Sequence, residues 1–118
     1  MTDYQKQSDI AAVPALLALA VPEGQHFLAF NVATERADGA IPRKYRELIA
    51  LGVALTTQCA YCIDIHTRHA HAHGVTKEEL AETAFVAAAV RAGGTLAHSL
   101  MALRLFNEAA EDGAYAPP

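Results

Sequence analysis

The residues from Leu80 to Phe106 are apolar around the whole circumference of a helix, and this stretch most strongly limits the folds open to the chain. Its large apolar side chains are Leu80, Phe85, Val86, Val90, Leu96, Leu100, Met101, Leu103, Leu105 and Phe106. Gly93-Gly94 predicts a break between a fifth helix, ending near Ala92, and a sixth from roughly Thr95 to Glu108. A helix that is apolar on all sides in a small domain usually packs against another subunit, so we expect homo-oligomerisation. Exposed alanines are a competing explanation for the fifth helix and a weaker one for the sixth.

The composition favours helices throughout. With 118 residues the chain is predicted to form a single domain over residues 1–118. Hydrophobic residues make up 53% and aromatic residues only 7%, so the apolar content is mostly Ala, Leu and Val, which favours packed helices over sheets. We therefore predict an all-α fold, a compact bundle of about six helices that assembles through its apolar helices.

Turn and cap signals divide the first two thirds of the chain. Apolar residues at helical spacing mark a first helix up to Ala20, a second around Phe27 and Phe30, and a third with Glu47 on its surface. The breaks and caps, in chain order, are residues 21–24, the turn at residues 36–39, Pro42 at the first helical position, the cap Thr56-Thr57-Gln58 of a fourth helix, Gly74 at its end, and the capping box of Thr76 and Glu79.

The charge distribution argues against a nucleic-acid partner. The formal net charge at pH 7 is −4, the isoelectric point is about 5.8, and the nine Lys and Arg residues are scattered from Lys6 to Arg104 without a basic stripe. A nucleic-acid surface needs clustered positive charge, so none is expected.

The N-terminal region resembles a secretory signal only superficially. Residues 11–20 are apolar, but Asp3 and Asp9 precede them with a single lysine, and Pro14 interrupts the run. No segment is predicted to be long enough to span a membrane. We therefore expect a cytoplasmic protein, in which a Cys-x-x-Cys pair is more often catalytic or metal-binding than a structural crosslink.

The chemistry of the chain is concentrated in Cys59-Ala60-Tyr61-Cys62 and in His66, one helical turn further on. These are the only two cysteines, and their spacing allows a disulfide. A helix N-terminus and a neighbouring sulfur lower the pKa of a thiol, and a nearby base activates it as a nucleophile. Because His66 follows Cys62 at i+4, the two share a face of a helix. A redox dithiol is the leading interpretation.

Histidines extend this helix face and raise an alternative. Taking 100° per residue, Cys62, His66, His69 and His73 project within a stripe of about 60°, whereas His71 points to the opposite side. A zinc site of Cys59, Cys62 and His66 is the competing hypothesis, but it would need a fourth ligand. His69, His71 and His73 are also what a solvated helix end would contain without any function. Glu47, beside its basic neighbours, is equally compatible with a solvent-facing position. We predict no metal and no cofactor.

Taken together, these residues resemble the alkylhydroperoxidase D-like branch of the carboxymuconolactone decarboxylase family. The matching pattern is Glu47, eleven intervening residues, Cys59-x-x-Cys62, three residues and His66, with similar text from Arg46 to Ala50 and from Gly74 to Glu79. The resemblance covers the central half of the chain. It implies an all-helical domain that forms trimers or hexamers and reduces hydroperoxides, with a peroxiredoxin-type antioxidant activity.

The resemblance also implies a role for each site residue. Cys62 would be the thiol that becomes a sulfenic acid, and Cys59 would supply a proton and then form the redox disulfide. Glu47 and His66 would deprotonate Cys62 through a water molecule. A dithiol reductant, such as a lipoyl-bearing adaptor protein, would regenerate the thiols. Tyr61 stands where the better-known peroxidases have a second histidine, and we name Tyr61 and His69 as candidate accessory residues.

Two further functions remain as alternatives. One is lactone decarboxylation, the other activity associated with the superfamily, which has no evident use for a redox dithiol. The other is a non-enzymatic oligomer that senses redox state or a metal ion through the cysteines.

Overall fold

The fold is built from helices alone within residues 4–113, which are the residues that the computed structural model describes. In chain order the elements are a 3-10 helix at Gln7–Ala12 and the α-helices α1 (Val13–Leu19), α2 (Val21–Thr34), α3 (Arg43–Thr57), α4 (Ala60–Ala72) and α5 (Lys77–Asp112). The all-α prediction is confirmed, and the number of helices is close to the six predicted.

Helix α5 runs through the glycine pair that was predicted to break it. The helix is 36 residues long, and Gly93 and Gly94 both lie inside it with open space around their α-carbons. The predicted division into a fifth and a sixth helix is therefore wrong. Each glycine costs a helix only about 1 kcal/mol relative to alanine, and strong helix formers flank the pair on both sides. The predicted capping box at Thr76 and Glu79 is present and begins the helix.

The continuity of α5 also corrects the expectation about membrane-spanning segments. By length and composition alone, α5 is long and apolar enough to cross a membrane. The prediction that no segment is long enough to span a membrane is therefore wrong by this criterion.

The junction between α3 and α4 is built differently from the predicted cap. Thr56 and Thr57 belong to the last turn of α3, where both hydroxyls donate to the Val53 carbonyl at 2.9 Å. Gln58 then takes a left-handed conformation, with φ of 56°, and reverses the chain. The cap of α4 is Cys59, whose Sγ accepts the backbone N–H of Cys62 at 3.2 Å. Hydroxyls bonded within α3 are not available to cap the next helix.

The N-terminal helices α1 and α2 pack against each other, and Gly24 marks a close approach between them. The break predicted at residues 21–24 is wrong in position: the interruption is at Ala20, and residues 21–24 form the first turn of α2, where a proline is compatible with the helix. Gly24 of α2 is buried against the backbone of Leu17, where a Cβ atom would collide with the Leu17 carbonyl. Glycine is therefore required at this crossing of α1 and α2.

Helix α3 is the centre of the domain because both α4 and α5 pack against it. The residues of this small core are Leu51 and Ala54 of α3 and Ala70 of α4. Lys44 of α3 forms an ion pair with Glu79 at 3.0 Å, and Arg91 of α5 donates to the Thr56 carbonyl. These contacts set α3 and α4 side by side, and the candidate site lies between them.

Candidate active site

Glu47 is a buried carboxylate at the centre of the domain. Only 1% of its surface is exposed, although its basic sequence neighbours are compatible with a solvent-facing position. It lies one turn before Leu51 on α3, and Leu51 and Ala54 are the buried residues of that helix face. Burial of an acidic side chain without partners is costly, so the contacts of Glu47 decide what the site can do.

His66 of α4 is the first partner of Glu47. Its Nδ1 lies 2.7 Å from Glu47 Oε2. An ionised carboxylate only accepts hydrogen bonds, so the proton is on Nδ1 and Nε2 is left as the basic nitrogen of the ring. A carboxylate that orients an imidazole in this way also stabilises it once the imidazole takes up a second proton.

Arg43 is the second partner, and the sequence analysis did not assign it to the site. Its Nε donates to Glu47 Oε1 at 2.8 Å, and the guanidinium also donates to the Glu35 carbonyl at 2.9 Å. The one signal in the sequence is that Arg43 precedes Glu47 by four residues, which places them on the same helix face. That spacing is too common to single out one arginine.

The electrostatics of the site favour an ionised Glu47. Burial raises the pKa of the carboxyl group, but hydrogen bonds from His66 and Arg43 and their positive charge lower it by more. The pKa of Glu47 therefore lies below the ordinary value, so the carboxylate is ionised at neutral pH and its charge is balanced by Arg43.

Cys59 and Cys62 lie at the N-terminus of α4 and form a disulfide with a Cα–Cα distance of 5.3 Å. Both side chains are half-buried. His66 follows Cys62 by one turn of the same helix. The structure thus brings Glu47 and His66 into direct contact and places the cysteine pair next to them along α4.

The two candidate accessory residues have different surroundings. The Tyr61 hydroxyl donates to Asp9 Oδ2 at 2.8 Å, which raises the pKa of Tyr61 and lowers that of Asp9. Tyr61 therefore ties α4 to the N-terminal 3-10 helix. His69 instead adjoins the buried cluster, with Nδ1 3.4 Å from Arg43 Nη2 and 3.7 Å from Glu47 Oε1.

The remaining histidines do not take part in this cluster. His71 and His73, at the end of α4, are exposed, as expected for a solvated helix end. His26 and His98 are also exposed.

Three side chains could hold a metal ion, but they differ from the set that the sequence suggested. Ligand atoms of Glu47, His66 and His69 lie within 4.8 Å of one another, whereas the cysteine sulfurs bond to each other. The Arg43 guanidinium already occupies Oε1 of the shared carboxylate. A cation would have to displace this positive charge, so the donor set fits a hydrogen-bonded relay better than a metal centre.

Glu47 and His66 open onto a cavity of about 200 Å³. The other residues that line it are Thr34, Glu35, Arg46, Ile49 and Ala50. Its volume is sufficient for several water molecules, and the side chains of Glu47 and His66 offer them hydrogen-bond partners in a wall that is otherwise largely apolar.

Comparison with known proteins places these elements in a family. The family model described as "Carboxymuconolactone decarboxylase family" matches residues 22–105, which contain α2 to α4, most of α5 and every residue of the buried cluster. An uncharacterized protein of the cox locus of Paracoccus denitrificans is 44% identical over 72 residues, which are 61% of this chain and 65% of that protein. An uncharacterized protein of Cupriavidus necator is 33% identical over 70 residues, 59% of this chain and 62% of that protein. The chain thus spans slightly less than two thirds of the length of these relatives. Because the family model covers well over half of this chain, the chain belongs to the carboxymuconolactone decarboxylase family.

Proposed function

We propose that the chain is a thiol–disulfide oxidoreductase of the alkylhydroperoxidase D-like type, which reduces alkyl hydroperoxides in antioxidant defence. The observation that carries this proposal is the 2.7 Å contact between Glu47 and His66, one helical turn from a Cys-x-x-Cys pair. A buried carboxylate, an oriented imidazole and a dithiol are the groups that an activated thiol peroxidase needs.

The reaction begins with the reduced dithiol. His66 Nε2 takes the proton of Cys62 through a water molecule, and Glu47 stabilises the resulting imidazolium. The Cys62 thiolate attacks the terminal oxygen of the hydroperoxide, the O–O bond breaks, and the alkoxide takes up the proton held on His66 and leaves as an alcohol. Cys62 is now a sulfenic acid.

The second thiol completes the oxidative half of the cycle. The Cys59 sulfur attacks the Cys62 sulfur, its proton and the sulfenic hydroxyl leave as water, and the Cys59–Cys62 disulfide forms. Trapping by a neighbouring thiol prevents over-oxidation of the sulfenic acid. The structure contains this oxidised form.

An external dithiol closes the cycle. Two electrons and two protons from the reductant restore Cys59 and Cys62, and the reductant itself becomes a disulfide. A lipoyl-bearing adaptor protein is a reductant of the required chemistry. The cycle uses thiols alone and needs neither a metal nor a cofactor.

The dithiol also separates this proposal from lactone decarboxylation, the activity in the name of the family. Proton transfer at a lactone would use Glu47 and His66 but would give no role to two cysteines one turn apart.

We further propose that the chain works as a homotrimer or homohexamer in the cytoplasm. Its accessible surface is 9354 Å², whereas a globular chain of 12.6 kDa exposes about 6,200 Å². Its radius of gyration is 20.3 Å, against about 13.5 Å for a globule of this length. The excess surface is of the size that obligate subunit interfaces bury.

The excess surface is apolar and lies largely on α2, α3 and α5. Phe27, Phe30, Phe85 and Phe106 are each more than half exposed. An open groove of about 800 Å³ runs between α3 and α5. Other copies of the chain suit this surface better than lipid, because α5 carries Arg91 within its length and packs on α3 along its first half.

The cysteine roles predict different products in two matched variants. Cys62→Ser should lose hydroperoxide consumption, because it lacks the attacking thiol. Cys59→Ser should retain one oxidation event and accumulate a sulfenic acid on Cys62, because no thiol resolves it. Labelling with dimedone and peptide mass spectrometry measures both outcomes. A dimedone adduct on Cys59 in the Cys62→Ser variant, with consumption retained, would reverse the assignment.

The relay predicts a shift in thiol reactivity on Glu47→Gln. Without the carboxylate the His66 imidazolium is less stable, so the midpoint pH for alkylation of Cys62 by iodoacetamide should rise by about one unit, a tenfold loss of rate near neutrality. Since the pKa of Glu47 is below its ordinary value, the wild-type carboxylate contributes throughout the neutral range and is lost only as the pH falls through that lowered pKa. Glu78→Gln, which removes an exposed carboxylate at the start of α5, is the control. Equal midpoints in the two variants would remove Glu47 from the relay.

The proposed assembly predicts a discrete oligomer in the absence of detergent. Light scattering after size exclusion should give three or six chain masses, and Val90→Glu, in the groove between α3 and α5, should shift the protein to smaller species. His71→Glu adds the same charge at the exposed end of α4 and should leave the mass unchanged. A monomeric wild type, or one that stays in solution only with detergent, would contradict the proposal.

A further inference from the structure

Two histidines compete for one carboxylate in the buried cluster. His66 and His69 are one turn apart on α4 and meet edge to face, with ring centroids 5.8 Å apart. Nδ1 of His66 lies 2.7 Å from Glu47 Oε2, and Nδ1 of His69 lies 3.7 Å from Oε1. A small rotation of the Glu47 side chain would exchange one imidazole for the other, so something must select between them.

The Arg43 guanidinium is placed where it can make this selection. Its Nε donates to Glu47 Oε1 at 2.8 Å, which is the oxygen nearest to His69. Its Nη2 lies 3.4 Å from His69 Nδ1. Arginine only donates hydrogen bonds, so this contact requires His69 to accept at Nδ1 and to carry its proton on Nε2. In that tautomer His69 cannot donate to the carboxylate from Nδ1.

Arg43 is itself held in place from a second helix. Its Nη1 donates to the Glu35 carbonyl just after α2, at 2.9 Å, and the guanidinium lies 3.8 Å from the Glu35 carboxylate. The planar fork of arginine thus contacts three groups at once, which a lysine ammonium cannot reproduce. The side chain is 18% exposed, so water competes little for these contacts.

We propose that Arg43 is a positioning residue that commits Glu47 to His66 and keeps His69 out of the relay. The importance of Arg43 for catalysis rests on the proposed function, but the choice of His66 over His69 as the partner of Glu47 is a property of the protein without substrate. In this account Arg43 acts through Glu47 and does not touch the reacting sulfur.

The tautomers of the two histidines test the selection directly. In reduced protein with 15N-labelled histidine, two-bond NMR correlations should show His66 protonated on Nδ1 and His69 on Nε2. In Arg43→Gln, His69 should move its proton to Nδ1 as it binds Glu47. Arg68→Gln, which removes an exposed cation paired with Asp64, should leave both tautomers in place. An unchanged His69 tautomer in Arg43→Gln would overturn the proposal.

Thiol reactivity provides a second test, in which a second substitution should restore the alkylation rate that the first one lowers. Arg43→Gln should slow alkylation of Cys62 at neutral pH by about tenfold, because Glu47 turns to His69 and His66 loses its charge-assisted hydrogen bond to the carboxylate. Adding His69→Ala should restore the rate to within about threefold of wild type, because the competing imidazole is gone. A double variant as slow as Arg43→Gln, or a single variant as fast as wild type, would contradict the selection.

A third variant covers the case in which Arg43→Gln does not fold. Arg43→Lys keeps the cation but not the fork, so it should free Nδ1 of His69 and leave a mixture of tautomers, and His69→Ala should again raise the alkylation rate. A single Nε2–H tautomer in Arg43→Lys would contradict the proposal. Neither readout requires a peroxide, so the correct tautomers in a protein that does not consume hydroperoxides would uphold this inference and reject the proposed function.

Discussion

The ionised carboxylate of Glu47, buried between α3 and α4, is the interaction on which the rest of the site depends. A charge with 1% exposure is tolerated only because His66 and Arg43 donate to its two oxygens. Removing either donor would leave an uncompensated buried acceptor, which costs more than the net gain of the bond itself. The same contacts that stabilise the charge also fix the imidazole beside the cysteine pair, so packing and chemistry are coupled at this residue.

The sequence was most informative where chemistry restricts the choice of residue. A Cys-x-x-Cys pair followed by His66 shares a helix face whatever the surrounding fold, and the capping box at Thr76 identifies a helix start by its own hydrogen bonds. The burial of Glu47 could not be derived from spacing, because it sits among basic residues like any solvent-facing position. Only its place in the family pattern indicated a role, and only the three-dimensional contacts revealed Arg43 and His69 as its neighbours.

The wrong predictions of a helix break and a helix cap share one physical cause: the residues around each signal outweigh the preference of the residue itself. Gly93 and Gly94 carry a real helix penalty, but the alanines and leucines around them offset it. Thr56 and Thr57 have the side chains of a cap, yet they bond backwards to Val53 and leave the cap to Cys59. A cysteine sulfur therefore lies at the positive end of α4, where the helix dipole favours a thiolate.

The proposed function requires that the Cys59–Cys62 dithiol reduces a hydroperoxide over repeated cycles. The most direct measurement follows thiol loss and intact mass of the reduced protein after addition of an alkyl hydroperoxide without a reductant, and then hydroperoxide consumption after addition of dihydrolipoamide. We predict rapid loss of both thiols and a mass decrease of two hydrogens as the disulfide forms, and then repeated turnover while dihydrolipoamide lasts. Thiols that stay reduced in the presence of the hydroperoxide, when no reductant is present, would contradict the proposed function.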